Sequence, residues 1–251
     1  MLRGTMGFLP VGISLFLLAG CAAGAEEPPA PAPTETAARL EARIADGAET
    51  GELLLAGADG QLYALSAGDT PVTLDGGAAG RAELRDGMQV TVCHSGLIQE
   101  TYPARFDSVS ALEARSAGTD DRCGLYLQVL EDLWNVDSGL NGGVIQLGMD
   151  LSGVTDLTES EKAAVVWRFG QARGLVPVTG TFEELAEAGY LDRERLVWEN
   201  GILFSLSGSA SEGFQAEKWR SGTGAYFFTD CTARAGDGGG WTYRVGAEAI
   251  S

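Results

Sequence analysis

The chain has 251 residues, with 17 Lys plus Arg against 35 Asp plus Glu and a formal charge of −18. So acidic a surface repels phosphate backbones and excludes nucleic acid as a partner. With 45% hydrophobic and 21% charged residues a packed core is feasible over most of the length, and a single histidine, His94, removes most familiar catalytic and metal-ligating sets.

Met1 to Gly20 carries Arg3, an apolar stretch from Met6 to Leu18 and no acidic residue, the layout of a secretory signal. The apolar stretch is shorter than the about 20 residues of a spanning helix. It closes on Leu18-Ala19-Gly20-Cys21, which resembles the lipobox of bacterial lipoproteins. That resemblance implies cleavage before Cys21, a diacylglycerol on its thiol and a lipid-anchored chain on the extracytoplasmic face of the membrane. An ordinary signal or an uncleaved anchor is the plainer alternative. Losing Arg3 with the signal takes the charge from −18 to −19. Ala22 to Thr36 reads AAGAEEPPAPAPTET, with four of the eight prolines and no aromatic or large aliphatic residue. Such a segment cannot bury enough apolar area to fold, so residues 21–36 are expected to be an extended tether.

Residues 37–121 form the first expected unit. Glu52 to Ala56, Gln61 to Leu65 and Val72 to Leu74 are strand-like and divided by glycine turns. In Met88 to His94, Met88, Val90 and Val92 alternate with Gln89, Thr91 and Cys93, the period of a half-buried strand. Leu97 to Tyr102 follows as another strand, ended by Pro103. Strands this short and close predict a small, bent β-barrel of the OB type. The run Gly87-Met-Gln-Val-Thr-Val followed by Gly96-Leu-Ile-Gln-Glu100-Thr101-Tyr102-Pro103-Ala104 resembles the module of YobA-like lipoproteins, with Thr101 where that family has a serine. The resemblance implies fold and location and carries no catalytic residue.

Residues 122–251 hold all five tryptophans and form the second unit. Tyr126, Leu130, Leu133 and Trp134 predict a helix from about Gly124 to Val136, and alternation from Ile145 to Ser152 predicts a strand. Thr158-Glu-Ser-Glu161 and Thr181-Phe-Glu-Glu184 are capping boxes that open two further helices. Asn200-Gly201 is a hairpin signal, and strands near 214–220, 225–234 and 241–249 complete the pattern. The unit reads as α+β, a mainly antiparallel meander covered on one face by two to three helices. Its phrases from Trp134 onward, Lys218 to Tyr226 and Asp230-Cys-Thr-Ala233 resemble the C-terminal halves of uncharacterised bacterial lipoproteins.

Few residues qualify as a site. Cys93 and His94 are strand neighbours and face opposite ways, so they cannot pair as nucleophile and base. Neither Lys162 nor Lys218 has the Ser three residues earlier that a serine-lysine hydrolase requires. Asp137, Asn141 and Gly142 mimic part of an EF-hand loop, but Gly139 and Gly148 stand where acidic ligands belong. Residues 158–191 with the Asn200-Gly201 turn also mimic a winged helix, which the acidic charge disfavours. Glu100, Asp150, Glu217 and Asp230 lie on expected strands and could supply a carboxylate pair. Cys93, Cys123 and Cys231 remain after Cys21 is acylated. A Cys123 to Cys231 disulfide is preferred, Cys93 with Cys123 is the rival, and three free thiols is the third outcome. Lys218, Trp219 and Arg220 gather two cations and a ring that could take an anion or a sugar. No metal or cofactor is expected. The leading expectation is a non-catalytic binding or envelope-accessory lipoprotein whose partners are the bilayer, through acylated Cys21, and an envelope protein, peptide or glycan. The alternative is a carboxylate-dependent hydrolase of envelope glycan.

Overall fold

Leu53-Leu-Leu-Ala56 has no polar alternation, so a strand made from it must be covered on both faces. In the computed structural model, which describes residues 38–66 and 68–251, it is covered on both. Leu53 and Leu55 enter one core with Ile44, Val90, Val92 and Leu112. Leu54 and Ala56 enter a second, with Ala45, Leu62, Ala64 and the apolar faces of two helices. The expected signal and tether over residues 1–36, Cys21 included, lie outside the described residues.

The first sheet contains β1 (Ala38–Asp46), β2 (Glu52–Gly57), β3 (Leu62–Ser66), β4 (Val72–Leu74), β5 (Gly77–Ala79), β6 (Gln89–His94), β7 (Ile98–Gln99), β8 (Ala104–Phe106) and β9 (Val109–Arg115). Their order is β5-β4-β9-β6-β1-β2-β3-β8-β7, an open mixed sheet. β1, β2 and β3 form an antiparallel meander, β6 runs antiparallel to β1 and β9, and β8 runs parallel to β3. β1 and β9 are strands that the local sequence hides. Ala111-Leu-Glu-Ala-Arg115 has the composition of a helix, and pairing with β6 overrides that preference.

The remainder comprises α1 (Arg122–Asn135), β10 (Gln146–Val154), α2 (Glu159–Gln171), β11 (Val178–Thr179), α3 (Phe182–Glu187), β12 (Gly201–Ser209), β13 (Gly213–Ser221), β14 (Gly224–Ala235), β15 (Trp241–Arg244) and β16 (Ala247–Ile250). Both capping boxes form, each with the threonine oxygen accepting from the N3 amide and the glutamate accepting from the cap amide. Asp121 caps α1 by accepting from Gly124 N at 2.9 Å. The second sheet runs β11-β10-β12-β13-β14-β15, with β16 also on β14.

Two expectations are corrected here. Asn200-Gly201 is not a hairpin: Gly201 opens β12, which runs parallel to β10 from the pairs Gln146 with Gly201 and Leu147 with Ile202. The glycine serves packing, because a Cβ at Gly201 would lie 2.0 Å from Cε2 of the Trp198 indole. β10 is therefore parallel to both its neighbours, β11 and β12, so the sheet is mixed rather than a simple meander, although its pairings from β12 onward are antiparallel and it stays mainly antiparallel. In addition, the helices do not share one face. α1 and α2 pack against Leu147, Met149, Ile202 and Phe204, whereas α3 joins Trp198, Leu203 and Trp219 on the opposite face.

α2 also packs on β1, β2 and β3, and α1 on β1, so the helical layer lies between the two sheets. The described residues thus form one compact unit whose larger core draws on both halves of the sequence.

Candidate functional site

The Lys218, Trp219 and Arg220 trio divides across the sheet. Lys218 is fully buried. Its ammonium donates to the carbonyls of Trp134 at 3.4 Å, Asp137 at 3.3 Å and Val136, which takes up all three donors. The cation thereby sits at the C-terminal end of α1, where the helix dipole favours positive charge. Burial lowers its pKa to about 8. Arg220 donates to the carbonyls of Leu140 at 2.7 Å, Gly142 at 2.6 Å and Glu199 at 2.9 Å. Trp219 points the other way, edge-on to Phe182 with centroids 5.0 Å apart. Both cations pin the loop after α1, and Asp137 and Asn141 of the EF-hand-like stretch belong to that loop. Among the described residues no group of three or more His, Cys, Asp or Glu is placed to hold a metal ion.

The three described cysteines are buried free thiols, so the preferred Cys123 to Cys231 bond is not formed. Cys123 Sγ points at the Glu161 carbonyl and Cys231 Sγ at the Thr229 carbonyl, each at 3.9 Å. Burial raises both thiol pKa values, that of Cys231 to about 11. Cys93 lies beside Arg39 and Glu113, while His94 accepts from Gly96 N and tilts against Phe106.

Of the four candidate carboxylates, two share a row. Asp150 and Glu217 both pair with Ser205 on the intervening β12, two strand spacings apart or about 10 Å between Cα atoms. Burial raises the Glu217 pKa. Glu100 follows β7, and Asp230 lines a separate hollow with Ser207, Glu212 and Gln215.

Two concavities with charged linings border α2. One, of about 510 Å³, lies between β1, β2 and the start of α2. Its guanidiniums are already held: Arg43 by Glu161 at 3.1 Å and by the Gly87 carbonyl, Arg122 by Asp120 at 2.8 Å and the Asp156 carbonyl. The other is a groove of about 610 Å³ that follows the outer edge of β10 between α2 and the start of α3. β11 pairs only with Gly148 and Met149, and Gly180 N closes on the Met149 carbonyl at 3.1 Å. β11 thus reaches no residue of β10 beyond Met149.

Asp150 Oδ1 accepts from Ser152 N at 3.0 Å and Ser152 Oγ at 2.6 Å, holding a bulge in which Leu151 and Ser152 oppose one residue of β12. Ala163 and Val166 of α2 form the apolar wall, and Tyr102 closes one end, 63% exposed and edge-on to Trp167 at 5.5 Å. Asp150, Glu159 and Glu184 bring three carboxylates against Lys162, itself paired with Glu159 at 2.9 Å. The Thr181 N–H and hydroxyl hold Glu184 below the usual carboxylate range, so it stays charged.

Sequence reasoning singled out Asp150 as a carboxylate and Tyr102 within the Glu100 to Ala104 motif, without bringing them together. The bulge and the two-residue β11 leave no periodic signal, and they are what open the edge. Comparison with family models, curated proteins and solved structures returns no match.

Proposed function

We propose that the chain is an extracytoplasmic lipoprotein, acylated at Cys21 and held off the bilayer by its proline-rich tether, that binds a component of the cell envelope without catalysis of its own. The observation that carries this reading is the apolar stretch ending in Leu18-Ala19-Gly20-Cys21 and followed directly by the proline-rich segment. Among the described residues no helix is long and apolar enough to cross a membrane. The OB-like reading of the first sheet belongs to the same proposal. In its support, β8 and β9 are separated only by Asp107 and Ser108, and they pair with β3 and β6, the outer strands of the β6-β1-β2-β3 strip. A single segment thus borders both sides of that strip.

The test is metabolic labelling with an alkyne fatty acid in a bacterial host. The full chain should take label and pellet with membranes, and Cys21→Ala should do neither. Label retained by Cys21→Ala would end the anchoring reading. The hydrolase reading has one observation in its favour, the Asp150 and Glu217 row. It requires the full chain to release reducing ends from cell-wall glycan and Glu217→Gln to abolish that release; no release by the unaltered chain removes it.

A further inference from the structure

Past Met149 the outer edge of β10 has no strand of the described residues beside it, because β11 ends at Thr179. A bare edge is a template for pairing, which proteins commonly block with lysine, proline or a covering segment. Here the edge residues are Asp150, Leu151, Ser152 and Gly153, Asp150 folds back onto Ser152, and a groove of about 610 Å³ runs alongside. The two walls differ in chemistry. Ala163, Val166 and the Tyr102 ring lie on the α2 side, whereas Asp150 and Glu184 lie on the α3 side, with Glu159 at the rim. The charge bias is one-sided, since among the described residues the only cation lining the groove is Lys162, already paired with Glu159.

We propose that this groove captures an extended, basic peptide segment as an added strand on β10. The inference rests on the binding-protein reading and names the ligand class. A strand laid about 4.8 Å from β10 would extend the line of β11 and hydrogen-bond to the backbone of β10 beyond Met149. Its side chains would alternate between the walls, an apolar one against Ala163 and Val166 and the next, Lys or Arg, against Asp150 and Glu184. The backbone supplies affinity, and the alternation of apolar and basic residues supplies selectivity. The overall charge of −18 favours approach of such a segment and repels an acidic one.

The experiment uses the full chain in detergent and a dye-labelled, end-capped peptide of alternating Val and Lys, read by fluorescence anisotropy. Three comparisons accompany it: the same peptide N-methylated at alternate backbone nitrogens, the peptide with Glu replacing Lys, and two variants of the protein. Ala163→Trp narrows the groove. Asp150→Asn with Glu184→Gln removes charge but keeps the Ser152 clamp and the capping box, and it carries the test should the tryptophan variant fail to fold. Saturable binding is expected, weakened about tenfold or more by N-methylation, by the Glu peptide and by either variant. Equal binding of the N-methylated peptide, indifference to both variants, or no saturation by about 1 mM would overturn the inference. So would a concentration-dependent dimer abolished by Ala163→Trp, since a second copy would then be the occupant. A chain that is acylated and membrane-bound yet ignores the peptide overturns the groove inference alone; one that takes no acyl label fails at the broader reading.

Discussion

Replacing Asp121 with asparagine should stabilise the protein at neutral pH. Asp121 caps α1 through Gly124 N, and its pKa is pushed up to about 6, first by burial and then by the nearby charges of Asp86, Asp46 and Asp120. Because the folded value lies above the ordinary 3.8, the native state holds a proton that the unfolded chain lacks between about pH 4 and 6. The stability linked to that proton is complete below the unfolded value and is lost as pH rises through about 6. At pH 7.5 the native state therefore carries a carboxylate that burial and its neighbours disfavour. A move from 3.8 to about 6 is worth roughly 3 kcal/mol at 1.36 kcal/mol per pH unit. Asp121 keeps partial contact with water, which screens its neighbours, so roughly 1 to 2 kcal/mol is the working magnitude. Asparagine retains the cap oxygen. Urea unfolding followed by tryptophan fluorescence should give Asp121→Asn that advantage at pH 7.5, shrinking to a small fraction by pH 4. Asp121→Ala, which also loses the cap, should fall about 1 kcal/mol below the asparagine variant. An asparagine variant less stable than wild type at pH 7.5, or equally advantaged at both pH values, would refute the reasoning.

Lys218→Met should lower unfolding free energy by about 2 to 4 kcal/mol, since the Trp134, Val136 and Asp137 carbonyls lose their donor. Amide exchange in the last turn of α1 should quicken with it, and unchanged exchange would argue that the cation is dispensable. Gly201→Ala drives a Cβ into the Trp198 ring, which is tied to Gln146 Oε1 at 2.8 Å. The cost should be about 1 to 3 kcal/mol with altered tryptophan emission, and a melt indistinguishable from wild type would remove the packing explanation. In a Cys21→Ala chain, Cys93, Cys123 and Cys231 should resist a thiol reagent while folded and all react in urea, because each is buried. An intact-mass deficit of two hydrogens in protein taken from an oxidising compartment would instead show that a pair has closed.

What the sequence discloses divides by the distance over which each cause acts. Thr158 with Glu161 and Thr181 with Glu184 act across three residues, and both boxes stand as read. The alternation of Met88, Val90 and Val92 is equally local, and all three are buried in one core. Asn200-Gly201 misleads because a glycine can be required for either of two reasons, a left-handed turn or close approach, and a local pattern cannot separate them. Here the decisive neighbour is the Trp198 ring, pressed against the glycine by the crossing of β12 beside β10. Lys218 is more distant still: it reaches a carbonyl 84 residues earlier in the chain. Its setting beside Trp219 and Arg220 suggested an anion site, whereas its carbonyl partners make it an internal cap for α1.

The same distinction governs the groove. Alternation reveals that Ile145 to Ser152 is strand, but whether its outer edge is covered depends on where another segment stops. β11 stops after two residues, Tyr102 arrives from the first sheet, and α2 and α3 approach from opposite faces of the second. Each component has its own local reason, yet none refers to the others, so the opening exists only in their assembly. An unpaired edge is also costly to leave exposed, because it invites aggregation. That β10 retains one, flanked by an apolar wall and three carboxylates, is better explained by a segment that comes and goes than by a fold that neglected to close.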